Sequence, residues 1–280
     1  MKKILSLLFA LTMAVGLCAC GGTTDDASSD DTEPAGEPVV LKIAASPTPH
    51  AEILQQVVSI LAEQNITLEI TEYGDYVIPN TAVEEGDENA NYFQHGPYLE
   101  QFNKENGTHL VSVAKVHYEP MGVYAGMTAT LEELPDGAVI AVPNDATNEA
   151  RALLLLESLG LIELNPEAGL DATPNDITSN PKNLQFKELE AAMLPQTIEE
   201  VNLSVINANY ALQADLSPAE DALAIESSDS EAAQTYANII VVKEGDENNE
   251  AVLALIEAIQ SDAVRDFINE TYSGSVVPMF

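Results

Sequence analysis

Two spacings of hydrophobic positions alternate along this chain. Residues 39–45 (VVLKIAA) form a short apolar run of strand length. Ile53, Leu54, Val57, Val58 and Leu61 then recur at helical spacing, with Thr48 placed to cap and Pro49 at the first helical position. Residues 66–70 alternate as a strand, 97–106 read as a helix stopped by Gly107, and 109–116 read as a strand. A buried strand at 138–142 precedes a loop and a helix that runs to Leu159 and stops at Gly160. Further strands are predicted at 184–189, 203–207 and 237–242, and helices at 247–260 and 263–270. Strands alternating with helices predict parallel sheets with crossover connections, hence an α/β fold. There is no internal repeat.

The N-terminal segment follows a different pattern. Lys2 and Lys3 precede an apolar stretch at 4–17, broken only by Ser6, Thr12 and Gly16, which is short for a membrane span. It ends in Leu17-Cys18-Ala19-Cys20, which resembles the bacterial lipoprotein signal, in which a cysteine after a small residue is lipidated. Cys20 follows Ala19 and fits; Cys18 follows Leu17 and does not. The expectation is a signal peptide over 1–19 and a diacylated Cys20, two acyl chains being enough for stable anchoring. The stretch 21–38 has six acids, no base and no apolar residue larger than Ala, so 20–38 reads as a lipidated cysteine with a disordered tether. A flexible chain of that length spans roughly 23 Å, which would hold the folded part close to the membrane on its extracytoplasmic face.

Composition narrows the function. With 46 Asp and Glu against 10 Lys and Arg, the net charge is −36, and no basic footprint exists for nucleic acid or anionic headgroups. Cys18 and Cys20 are the only cysteines, so the body of the chain can build neither a disulfide framework nor a cysteine zinc site. Apolar residues make up 46% of the 280, enough for a packed core, and the length suits two domains.

Three groups of residues carry candidate chemistry. Six of the fifteen Phe and Tyr lie between Tyr73 and Phe102, including Tyr76, Phe93 and Tyr98. Phe93, His95 and Tyr98 fall at a strand end and a helix start, where α/β folds place ligands, and such rings can sandwich an apolar or thioether chain. A core that happens to use aromatics satisfies the same pattern. Arg151, one of only two arginines with Arg265, falls in the first turn of its helix, where a cation is disfavoured unless an anion answers it. A ligand carboxylate could be that anion, and so could Glu149 or Asp145. Asn207 and Asn238 stand in or beside apolar strands, where an amide needs a partner from the protein or from a ligand.

The segments GDYVIPN, FQHGPYLEQF, VPNDATNEARALLLLESLGLI and NPKNLQFKELEAAMLP closely resemble the NLPA lipoprotein family, the methionine-binding lipoproteins of bacterial ABC importers. The resemblance spans residues 39–280 in collinear order. It implies a periplasmic-binding-protein-like fold with a hinge and an inter-lobe cleft, with lobes at 39–122 plus 236–280 and at 123–235. It also implies a thioether chain among Tyr76, Phe93, His95 and Tyr98. The ligand's carboxylate and ammonium would be held by Asn148, Arg151, Asn207 and Asn238, with Asn144 added to that set. The expected protein is a monomeric, non-enzymatic methionine receptor without a cofactor, closing about its ligand and docking on an ABC permease with its ATPase. Competing readings are a receptor for a methionyl peptide or another amino acid, or a metal receptor using His50, His95, His109 and His117. The histidines have no HxH or HExxH spacing, and no GxSxG motif supports a hydrolase.

Overall fold

The computed structural model describes residues 37–227 and 231–280. The signal peptide at 1–19, Cys20 and all but the last two residues of the tether lie outside the described residues. β1 (Val39–Ala45) leads through an irregular turn into α1 (Glu52–Gln55) and α2 (Val58–Glu63). Next come β2 (Ile66–Glu72), α3 (Ile78–Glu85), β3 (Ala90–His95), α4 (Gly96–Asn106) and β4 (Leu110–Tyr118). A second group begins with β5 (Gly122–Ala125), β6 (Val139–Pro143) and α5 (Ala146–Ser158), then a small ribbon of β7 (Glu163–Leu164) and β8 (Ile177–Ser179). It continues with β9 (Gln185–Leu189), β10 (Leu203–Ile206), α6 (Ala208–Gln213) and β11 (Ala222–Ile225). The chain ends in α7 (Glu231–Thr235), β12 (Asn238–Lys243), α8 (Glu250–Ile259), α9 (Asp262–Tyr272) and β13 (Val277–Pro278).

Apart from the β7–β8 ribbon, these strands form two larger sheets, each with its own core, so the fold is two-lobed α/β. The first sheet has the order β13-β4-β12-β3-β1-β2 and the second β11-β5-β10-β6-β9. Under the first, Ile43, Leu54, Leu61, Tyr92, Val242, Leu255 and Ile268 pack together; under the second, Val123, Ile140, Leu153, Leu156 and Val205. The chain passes from β4 to β5 through residues 119–121 and returns from β11 to β12, inserting β12 between β3 and β4.

The helical stripe expected from Ile53 to Leu61 is present, but as two helices. Val57 (φ −103°, ψ −4°) interrupts them while its side chain, like those of Ile53 and Leu61, stays buried. Thr48 does not cap. Its backbone is extended and its hydroxyl donates to Glu52 Oε1 at 2.6 Å. The sheets are also not parallel throughout. β1 pairs in parallel with β2 and β3, but the returning β12 runs antiparallel to β3 and β4, and β5 runs antiparallel to β10.

Register then positions the site. Asn238, the first residue of β12, is opposite His95 at the end of β3 and opposite His117 near the end of β4. In the second sheet, the parallel pair β6 and β10 ends at Pro143 and Ile206, shortly before Asn148 in the first turn of α5 and Asn207 at the start of α6.

Candidate functional site

A small pocket lies between the two sheets. The first sheet and its loops contribute Tyr76, Phe93, His95, Tyr98 and Asn238; the second contributes Asn148, Arg151, Asn207 and Asn209. Glu119 enters from the connection between them. Eight of the nine residues expected at a ligand are therefore brought together. The ninth, Asn144, is exposed on the loop after β6 and lines neighbouring grooves instead.

One wall is aromatic. The Tyr76 ring lies 5.8 Å from Phe93, 5.7 Å from Tyr98 and 4.9 Å from Tyr210, centroid to centroid. Tyr98 OH donates to Tyr76 O (2.9 Å), and Tyr76 OH donates across the cleft to Asn209 Oδ1 (2.6 Å). These bonds consume the hydroxyl protons and leave ring faces for an apolar guest.

The other wall is polar. His95 ends β3 and caps α4, its Nδ1 accepting from the Tyr98 N–H at 3.2 Å. Burial, reinforced by the nearby Arg151 charge, lowers its pKa to about 3, so the ring is neutral and the proton sits on Nε2. Nε2 donates to Asn148 Oδ1 at 3.2 Å, which also accepts from Asn207 Nδ2 at 2.8 Å. Asn148 is fixed in turn by Asp145, the cap of α5, which accepts from its backbone N–H and its Nδ2. Two buried polar atoms in this pocket have no partner: the acceptor Asn207 Oδ1 and the donor Asn209 Nδ2. Buried polar atoms are normally satisfied, so an acceptor and a donor left open together suit a ligand that carries both functions.

Arg151 departs from its expected setting. α5 begins at Ala146, so Arg151 lies in the second turn, and its anion within the protein is Glu226, in the segment after β11. Nε and Nη2 grip that carboxylate at 2.6–3.1 Å, and Nη2 also donates to Glu119 O at 2.8 Å. The Tyr236 ring stacks 4.4 Å from the guanidinium carbon. Burial pulls the pKa of Arg151 down, but the Glu226 carboxylate more than reverses this and keeps it charged. The remaining nitrogen, Nη1, stands outside the Glu226 pairing. Glu226 also accepts from Tyr118 OH and the Met121 N–H at 2.8 and 2.9 Å, which hold it in place.

Sequence reasoning passed over Glu119, Asn209 and Glu226. Asn209 had a usable signal, standing two residues beyond Asn207 in NANY. The two glutamates had none, since one more acid among 46 is invisible without the fold. Of the four histidines weighed for a metal, His50 and His117 converge on Glu119, His95 serves the polar wall, and His109 is exposed beside Glu84.

The NlpA lipoprotein family model matches residues 41–280. The chain belongs to the NlpA lipoprotein family. It is 39% identical to the methionine-binding lipoprotein MetQ of Bacillus subtilis over 283 residues, which covers 100% of this chain and 99% of the relative. A lipoprotein of solved structure from Ruminococcus gnavus is 55% identical, with a TM-score of 0.85 over 86% of this chain and 99% of its own. A nutrient-binding protein from Burkholderia cenocepacia, solved bound to methionine, is 42% identical, with a TM-score of 0.81 over 86% of this chain and 100% of its own.

Proposed function

We propose that this protein is an extracytoplasmic solute receptor, anchored by lipid on Cys20, that captures methionine as a monomer and delivers it to an ABC importer. The observation that carries this reading is the two-sided pocket. An aromatic wall of Tyr76, Phe93 and Tyr98 faces a polar wall with an open acceptor, an open donor and a buried guanidinium. A thioether gains roughly 0.3–1.5 kcal/mol per aromatic contact, while a zwitterionic head supplies the missing donor and acceptor. The methionine-bound relative of the same fold and the methionine-binding name of the Bacillus subtilis relative support the choice of ligand. Capture follows from two lobes, 39–122 plus 236–280 and 123–235, closing over the ligand, and the closed form is what a permease would recognise. The pocket sets binding partners around its guest and aligns no nucleophile with a base, which fits a receptor rather than an enzyme.

Calorimetric titration with L-methionine, together with mass spectrometry of whatever is released when the purified protein is denatured, tests this reading. Saturable binding at one site per chain is expected. No heat with methionine, and release of a different molecule, would reassign the ligand.

A further inference from the structure

Resting on that reading, we propose that three buried amides, Asn80, Asn91 and Gln94, position the aromatic wall and so set how the cleft ranks apolar side chains. Asn80 and Asn91 do not line the pocket, so they act through other residues. All three side chains are buried, and they close a triangle of hydrogen bonds. Asn80 Nδ2 donates to Gln94 Oε1 at 3.0 Å, and Gln94 Nε2 donates back to Asn80 Oδ1 at 2.5 Å. Gln94 Nε2 also donates to Asn91 Oδ1 at 2.9 Å. Asn91 Nδ2 in turn donates to Asn80 Oδ1 at 2.8 Å and to Pro79 O at 3.3 Å. A closed network of this kind favours one geometry, because any other leaves an amide buried and unpaired.

Two corners of the wall depend on that geometry. In β3 the register against β12 jumps from Gln94–Ile239 to Tyr92–Ile240, which leaves Phe93 as the extra residue of a β-bulge. Residues three apart on a regular strand point to opposite faces, so the bulge is what lets Gln94 reach Asn91. Phe93 joins the aromatic wall from this bulge. The other corner is the start of α3. Val77 and Ile78 are 57% and 49% exposed there, so burial of their side chains does not anchor it. Asp75 Oδ1 accepts from the Val77 and Ile78 N–H groups, and Asn91 and Gln94 hold Pro79 and Asn80. Tyr76 lies between these two fixings in the chain, and its ring meets those of Phe93 and Tyr98. The triangle therefore ties the strand that carries Phe93 to the helix start that carries Tyr76.

The test is a ligand series on full-length wild type, Asn91→Ala and the milder Asn91→Ser, each first checked for cooperative melting. L-2-Aminobutyrate, L-norvaline and L-norleucine share methionine's head group and lengthen the side chain one methylene at a time. In titration calorimetry, wild-type affinity should rise about fourfold per methylene, or about fifteenfold across the series. In Asn91→Ala that rise should shrink below about fourfold and methionine should bind about tenfold more weakly, while 2-aminobutyrate stays within about threefold of wild type. Asn91→Ser should change in the same direction by less, and it decides alone if the alanine variant does not fold. A lower melting temperature with an unchanged rise across the series would make the triangle structural only and overturn the proposal. An equal loss for all four ligands would do the same. A wild type that binds none of the four overturns the methionine reading instead. Positioning is then read in the ligand-free protein from nuclear Overhauser contacts between the Tyr76 and Phe93 rings. Their loss in the variant supports the proposal, and their persistence overturns it.

Discussion

Arg151 is held so tightly by Glu226 that its removal perturbs folding and binding together, and a second substitution separates the two. In Arg151→Met, Glu226 stays buried with Tyr118 and Met121 as donors but without its cation. Breaking a buried pair in this way costs about 3–5 kcal/mol. At about 2–4 °C per kcal/mol for a chain of this size, the melting temperature should fall by about 6–20 °C. Adding Glu226→Gln removes the stranded charge and keeps a carbonyl oxygen for Tyr118 OH and the Met121 N–H, so most of that loss should return. Methionine binding should not return. A ligand carboxylate left without the guanidinium loses about 2–5 kcal/mol, a factor of about thirty to several thousand. Differential scanning calorimetry reads the first quantity and titration calorimetry the second. Arg265→Ala is the control: that arginine pairs with Asp262 and the Phe280 carbonyl and does not line the pocket, so affinity should hold. A double variant that regains both stability and methionine affinity would show that Arg151 only braces Glu226, and the assignment of the carboxylate site would fall.

Phe93→Ala, which strips a buried ring from the aromatic wall, should weaken methionine by about 1–3 kcal/mol in titration calorimetry; an unchanged dissociation constant would place the ring in the core alone. Glu149 is buried on α5, and burial, with Glu188 and Asp145 nearby, raises its carboxyl to about 7. A raised folded-state value means that its contribution is present below the ordinary carboxylate range and is lost as pH rises through about 7. Glu149→Gln should therefore gain in urea midpoint over wild type at pH 8 relative to pH 5, and parallel pH profiles would refute the assignment. Cys20→Ser should abolish incorporation of a labelled lipid precursor, since Cys18 follows Leu17 rather than a small residue; normal labelling would remove the anchor from the proposal.

The fold was legible wherever an element was long enough to show its period. α4, α5, α8 and α9 run 10 to 13 residues, and each falls on a stretch read as helical. α3, β5, α6 and β11 were missed. They have 4 to 8 residues, too few for a period, and the packing of both sheets rather than local spacing holds them. The site shows the same division. Asn207 and Asn238 were visible because an amide in or beside an apolar strand needs a partner, and His95 because it stands where a strand ends and a helix starts; strand register then sets His95 and Asn238 side by side. What spacing could not show is which partner. Arg151 was read against its own helix and the anions beside it, Asp145 and Glu149, whereas Asp145 caps Asn148, and Glu226 arrives from 75 residues away to take the guanidinium. That exchange changes the electrostatics of the pocket. With Arg151 paired to Glu226, the guanidinium already has a counter-charge before any ligand enters. The charge of the polar wall therefore depends on a pairing made far along the chain, among residues the sequence had largely named.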